Sequence, residues 1–253
     1  MVTLKSAVEI DKMRRAGRIV AEVLEVMREQ VAPGVTTAEL EELADAVIRK
    51  YNAIPSFKEY PPGSTYPFPA SICTSVNEEL VHGIPGPRVL QEGDIISIDV
   101  GAILDGYHGD AAITLPVGQI GQGAPRLLEV TEGALHAGIA AARVGNRSGD
   151  ISAAIQSYVE SRGYNVVREY TGHGIGRNMH EDPQVPNFGQ PGKGVRLRRG
   201  MTVALEPMVL AGDNCVKVLD DHWTVVSCDG KLTAHFEHSI VVADGEAEIL
   251  TRL

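Results

Sequence analysis

Residues Ile95 to Thr114, reading IISIDVGAILDGYHGDAAIT, constrain this chain more than any other stretch. Asp105–Gly106 lies between two apolar runs, and that dipeptide favours a type I′ hairpin turn, whose two central residues need positive φ. With the turn placed there, Leu104 faces Tyr107 and Asp99 faces Ala112. Strand side chains alternate, so Asp99 and Asp110 point to one face as diagonal neighbours, roughly 7 Å apart at Cα. Two carboxylates on one face repel each other, and burial adds a desolvation cost. An isolated pair of this kind fits a solvated sheet edge. Here Ile95, Ile96, Ile98 and Val100 surround Asp99, which points to burial, and buried carboxylates are paired or hold metal. Further ligands must then come from elsewhere in the chain.

The preceding residues supply helices and a loop. Ser6 with Glu9, and Thr36 with Glu39, form two capping boxes. Each opens a helix with an apolar stripe: Ile10, Met13, Gly17, Val20, Leu24 and Met27 in the first, Leu40, Leu43, Ala44, Val47 and Ile48 in the second. Residues 55–69 are rich in Pro, Gly and aromatics and read as a long loop, the kind that walls a pocket. A strand is expected over Ser71–Val76, carrying Cys73.

After Pro125 the pattern repeats: a helix over Arg126–Arg143, a loop ending in Gly145, and a capped helix from Ser148 or Asp150. Strands are expected over Asn165–Tyr170, Met201–Leu205, Cys215–Leu219, Trp223–Ser227 and Thr233–Val242. The chain therefore reads as one α/β domain, 1–253, made of two pseudo-symmetric halves at roughly 6–120 and 124–253, with a cleft between their sheets.

The second half also holds chemistry-bearing residues. TGHGIGRNMH places His173 and His180 in a glycine-rich turn, with no strand-loop-helix unit around it to suggest a nucleotide site. Glu206 in MTVALEPMV and Glu237 in AHFEHSIVV each stand alone in an apolar strand, and Pro207 ends the first ladder. A buried glutamate can be met by an arginine. Two such glutamates, two aspartates and a histidine are accounted for more simply by a bimetal site. Asp99, Asp110, His173, Glu206 and Glu237 form a mostly hard-oxygen set with one imidazole, which suits Mn, Fe, Co or Zn without choosing among them.

Other function classes fit poorly. The net charge of −10 argues against nucleic acid as a partner. Lys193–Arg199 is a local basic exception and reads as a solvated loop or a partner contact. Three cysteines, Cys73, Cys215 and Cys228, show no CxxC spacing, so a disulfide scaffold is not expected and a reducing compartment is the simpler setting. The N-terminus does not read as a secretory signal, and no run is long enough to span a membrane.

These motifs resemble a known family. Asp99-(x10)-Asp110, His173 in GHGIG, Glu206 in EPM and Glu237 in FEH are similar to the five ligands of type I methionine aminopeptidases, the short form of the M24 metallopeptidases. The resemblance covers essentially the whole chain. It implies the pita-bread fold, with antiparallel sheets and outer helices, and removal of the initiator methionine from nascent polypeptides with a small second residue. It also implies two divalent ions (Co, Mn, Fe or Zn): Asp99 on one, His173 and Glu206 on the other, Asp110 and Glu237 bridging. A metal-bridged water or hydroxide would attack the first peptide bond, with Glu206 moving the proton. His82 in VHGIPG would steady the scissile amide, and His180 the next carbonyl. Cys73, Phe68, Tyr66 and Trp223 would line the methionine pocket, with plain loop packing an equal reading for Tyr66. Met179 and His235 stand where phenylalanine and glutamine are common in the family. A monovalent-cation site near Asn77 and Thr233 is a further implication. So are a cytoplasmic, monomeric enzyme, no membrane or nucleic-acid partner, and transient ribosome contact through Lys193–Arg199. An Xaa-Pro peptidase on the same fold, and a peptide-binding relative without activity, are the rival readings.

Overall fold

The computed structural model describes residues 2–253. Its first half contains α1 (Ala7–Gln30), α2 (Thr37–Lys50) and five strands: β1 (Ile54–Pro55), β2 (Ile72–Val76), β3 (Glu79–Val81), β4 (Ile95–Leu104) and β5 (Tyr107–Pro116). The second half contains α3 (Gly123–Ala141), α4 (Ser148–Glu160), β6 (Asn165–Val166), β7 (Thr171–Gly174), β8 (Glu181–Pro186), β9 (Thr202–Leu205) and β10 (Met208–Leu210). It continues with β11 (Val216–Val218), β12 (Val225–Ser227), β13 (Thr233–His235), β14 (His238–Val241) and β15 (Glu248–Ile249).

Both expected capping boxes are present. Ser6 and Thr36 accept from the backbone N–H of Glu9 and Glu39, and each glutamate accepts in return from the cap residue. The hairpin also forms in the expected register. Leu104 pairs with Tyr107 and Asp99 with Ala112, around a turn in which Asp105 and Gly106 have φ of 51° and 75°. β4 is the spine of the first sheet, pairing with β5 along one edge and with β1 and β2 along the other. α1 lies directly on β5, because Gly17 and Gly109 let the two backbones touch. A Cβ on Gly109 would fall 2.7 Å from the Gly17 nitrogen.

The second half has a five-stranded antiparallel sheet in the order β15-β14-β9-β7-β8 and a smaller one, β13-β10-β6. β5 joins it to the first half. The N–H of Ala112 donates to the Glu237 carbonyl (3.3 Å), and that of Glu237 donates to the Ala112 carbonyl (2.9 Å). One apolar cluster runs through both halves, from Val20 and Ile98 to Leu127, Val203 and Ile240.

Three expectations are corrected here. The strand foreseen over Thr233–Val242 is broken at Phe236–Glu237. β13 pairs with β10 and β14 with β9, and those two partners are themselves separated by Glu206–Pro207. Pro207 has no N–H to give a ladder, so the interruption in one strand faces the interruption in the other. The strand foreseen over Asn165–Tyr170 keeps only Asn165–Val166. The cysteines are not all free: Cys215 and Cys228 form a disulfide, and only Cys73 is a free thiol. The pairing of Val216 with Ser227 in the β11–β12 hairpin makes the two cysteines cross-strand neighbours, 5.4 Å apart at Cα, within the span a disulfide bridges.

Candidate metal centre

The two halves meet around a cavity of about 140 Å³. One end holds Asp99, Asp110, His173, Glu206 and Glu237. The other is lined by Phe57, Tyr60, Phe68, Cys73, Met179 and Trp223, with His82 and His180 also on its wall. All five expected ligands therefore converge, three from the strands β4, β5 and β7 and two from the facing strand breaks.

Each arrives by a local device. Unbroken β4–β5 pairing delivers Asp99 and Asp110 to one face. The serine two residues beyond Glu237 ties β14 to β5: Ser239 Oγ accepts from the Asp110 N–H (3.1 Å) and donates to the Asp110 carbonyl (2.8 Å). Glu206 and Glu237 leave their ladders at the paired break, so neither is bound to strand alternation. His173 lies on β7, and its Nδ1 meets the Gly174 carbonyl at 2.9 Å. A carbonyl only accepts, so Nδ1 carries the proton and Nε2 turns its lone pair toward the carboxylates. That Nε2 lies 3.5 Å from Glu206 Oε1 and 3.9 Å from Asp110 Oδ2.

The electrostatics call for a cation. Among the described residues, no lysine or arginine lines the cavity. Burial pushes the Asp99 carboxyl up to about 7. Burial, and then the neighbouring carboxylates, push Asp110 and Glu237 well above the carboxylate range; Glu206 is raised by burial and by Asp99. Asp99 Oδ1, Asp110 Oδ1 and Glu237 Oε1 are buried without any hydrogen-bond partner. Asp110, His173 and Glu237 offer ligand atoms all within 4.8 Å of one another. Orphaned oxygens around an imidazole lone pair fit a divalent metal.

A family model described as Metallopeptidase family M24 matches residues 11–244. The chain belongs to metallopeptidase family M24. This M24 peptidase is 55% identical to a methionine aminopeptidase of Clostridium acetobutylicum over 252 residues, 99% of each chain. It is 54% identical to methionine aminopeptidase 1 of Bacillus subtilis over the full length of both. The crystal structure of methionine aminopeptidase from Thermotoga maritima superposes with a TM-score of 0.97 at 46% identity, covering both chains completely. An Xaa-Pro dipeptidase from Bacillus anthracis shares the fold, with a TM-score of 0.79 at 23% identity, and this chain covers 62% of it. The architecture is the pita-bread fold of the M24 peptidases.

The structure also locates the remaining residues of interest. His82 has φ of 60° and sets its ring edge-on to Tyr170 and Trp223, and burial lowers its pKa to about 4. His180 is hydrogen-bonded through Nδ1 to the Tyr60 hydroxyl at 2.6 Å. Cys73 pairs with Asp99 across β2 and β4, which brings the apolar end directly against the carboxylates. Tyr66 lies outside the cavity. It is 55% exposed, stacks on His222 at 3.9 Å, and accepts from Trp223 Nε1 through its carbonyl. Phe57 and Tyr60 are wall residues that the sequence reading passed over. The aromatic content of the 55–69 loop was the signal for them.

Proposed function

We propose that this M24 peptidase removes N-terminal methionine from peptides in a metal-dependent hydrolysis, and that the five converging residues are its metal ligands. The observation that carries the reading is the ligand set itself: four carboxylates and one imidazole in a cavity without a positive side chain. Two divalent ions would balance four carboxylates, which supports a dinuclear centre with Asp110 and Glu237 shared. Ions held there supply Lewis-acid charge and make a water nucleophilic at neutral pH. The donor set leaves Mn, Fe, Co and Zn open.

The chain's own groups do the rest. The apolar end, with Phe68, Cys73, Met179 and Trp223, suits a thioether side chain. His82, neutral near pH 7, offers a hydrogen bond to the scissile amide. His180, held by Tyr60, meets the next carbonyl. Glu206 is the proton carrier. The preferred second residue is small. The peptide substrates are polypeptide N-termini. The largely exposed Lys193–Arg199 loop is suited to transient contact with the ribosome, and no helix among the described residues is long and apolar enough to cross a membrane. The two halves, roughly 6–120 and 124–253, act as one catalytic domain in a cytoplasmic monomer. The neighbourhood of Asn77 and Thr233 is the monovalent-cation candidate.

Mass spectrometry of products tests this. Metal-stripped protein is given Met-Ala-Ser, Met-Leu-Ser and Ala-Pro-Ser with and without Mn, Co, Fe or Zn. Metal-dependent methionine release from Met-Ala-Ser, with little from Met-Leu-Ser, is expected. Cleavage of Ala-Pro-Ser alone would move the chain to the proline-specific peptidases of this fold.

A further inference from the structure

His235 is the buried imidazole that the metal-centre reading leaves unused. It is 2% exposed, and its Nε2 has no hydrogen-bond partner. That atom lies 3.8 Å from Glu237 Oε2 and 4.0 Å from Glu206 Oε2. Glu206 is therefore approached from both sides, by His173 at Oε1 and by His235 at Oε2. The two imidazoles differ in kind. His173 belongs to the tight group of ligand atoms with Asp110 and Glu237; His235 does not.

The placement of His235 is set by the opposite half of the molecule. Thr114 Oγ1 on β5 accepts from the His235 N–H (2.9 Å) and donates to the His235 carbonyl (2.8 Å). Thr114 is in turn hydrogen-bonded to Ser97 on β4 at 2.9 Å. The hairpin that presents the two aspartates thus also aims an imidazole at the two glutamates. Glu206 stands at a strand break without ladder pairing, and Glu237 is held there by its backbone pair with Ala112. A buried N–H without an acceptor is costly, and Glu206 Oε2 and Glu237 Oε2 lie within reach of a small side-chain adjustment.

We propose that His235 is a positioning residue for the metal centre: its Nε2–H, unpartnered at 3.8 and 4.0 Å from the two glutamates, closes to hydrogen-bond distance when ions are held and fixes the carboxylates toward them. This rests on the metal-centre reading and not on the identity of the peptide substrate. The test uses the full chain stripped of metal, with manganese(II) titrated in by calorimetry. His235→Leu fills the space without a donor and lowers manganese affinity about 10–100-fold. His235→Gln keeps an N–H and recovers most of that loss. The metal-free Tm of His235→Leu equals or exceeds that of the native chain, since an orphaned buried donor has gone. Should His235→Leu not fold, His235→Asn, whose donor is too short to reach, takes its place with the same expected loss. Unchanged affinity in the Leu or Asn variant overturns the proposal. So does a fall in metal-free Tm accompanying the affinity loss, which would mark a packing role. A moved cobalt(II) visible band in His235→Gln also overturns it, by making His235 a ligand. Native protein that binds manganese but releases no methionine refutes the peptidase reading alone; native protein that binds none refutes both.

Discussion

The hairpin β4–β5 and the broken strand pair around Glu206 and Glu237 deliver the same kind of side chain to the same place by opposite means. In the hairpin, ten residues of each strand pair without interruption, and Asp99 and Asp110 are aimed by register alone. At the break, β9 gives way to β10 and β13 to β14, and the two glutamates lie in the gap. A continuous ladder fixes direction firmly, but it allows a carboxylate only at every second position. An interruption frees the direction, and something else must then hold the side chain. Here that support comes from β5, through the Ala112–Glu237 backbone pair and the Thr114–His235 clasp. The firmly held region supports the loosely held one.

The comparison can be broken at its most severe point first. Asp110 serves both regions, as a hairpin residue and as a neighbour of Glu237. Asp110→Ala should cut methionine release by on the order of a thousandfold or more, with loss of dinuclear metal occupancy, read by steady-state kinetics and metal analysis. The next effect is one of pH. Asp99 keeps its proton up to about 7 in the folded state against 3.8 ordinarily, and its three neighbours are raised as well. Between those values the folded chain holds more protons than the unfolded one. The stability these four carboxyls contribute to the metal-free protein is therefore full below pH 4 and is lost as pH climbs through 7. Tm measured at pH 5 and 7.5 should fall with rising pH in chelator. With metal bound the fall should vanish or reverse, because deprotonated carboxylates are then paired.

Smaller substitutions separate the two regions. Gly106→Ala places a Cβ at φ 75° in the hairpin turn and should cost about 1–2 kcal/mol of stability, seen as a lower Tm, with metal affinity unchanged. Pro207→Ala should do the reverse. It returns an N–H to the break, lets the ladder close toward Phe236, and weakens metal binding about tenfold with little change in Tm. If both variants shifted the same observable, the division of labour drawn here would be wrong. The smallest effect is expected at the pocket's outer support. Tyr66→Ala removes an aromatic stack of about 0.5–1.5 kcal/mol and should raise KM for methionyl peptides about threefold while sparing kcat.

The same contrast explains what could be read from residues alone. Asp-Gly at 105–106 set a turn, the turn set the register, and the register put two aspartates on one face. That chain of inference is local, and the hairpin formed as it required. The break at 236–237 was not legible. AHFEHSIVV contains neither glycine nor proline, and its interruption is imposed by Pro207 on a neighbouring strand. The Cys215–Cys228 bond escaped for a similar reason: it depends on hairpin pairing that Val216–Val218 and Val225–Ser227 signal only weakly. Tyr66 was placed among pocket candidates because aromatics crowd the 55–69 loop, and which of them turn inward is decided by contacts with a segment more than 150 residues away. Phe57, Tyr60 and Phe68 turn in; Tyr66 turns out.

That outward stack gives the cavity an adjustment point on the protein's exterior. Trp223 walls the cavity, yet its indole N–H hangs from the Tyr66 carbonyl, beside the Tyr66–His222 stack, on a hairpin closed at its base by a disulfide. Neither Tyr66 nor His222 contributes to the lining. Re-engineering the enzyme to strip a bulkier first residue can therefore begin at two solvent-facing rings, leaving every ligand and every pocket atom as it stands.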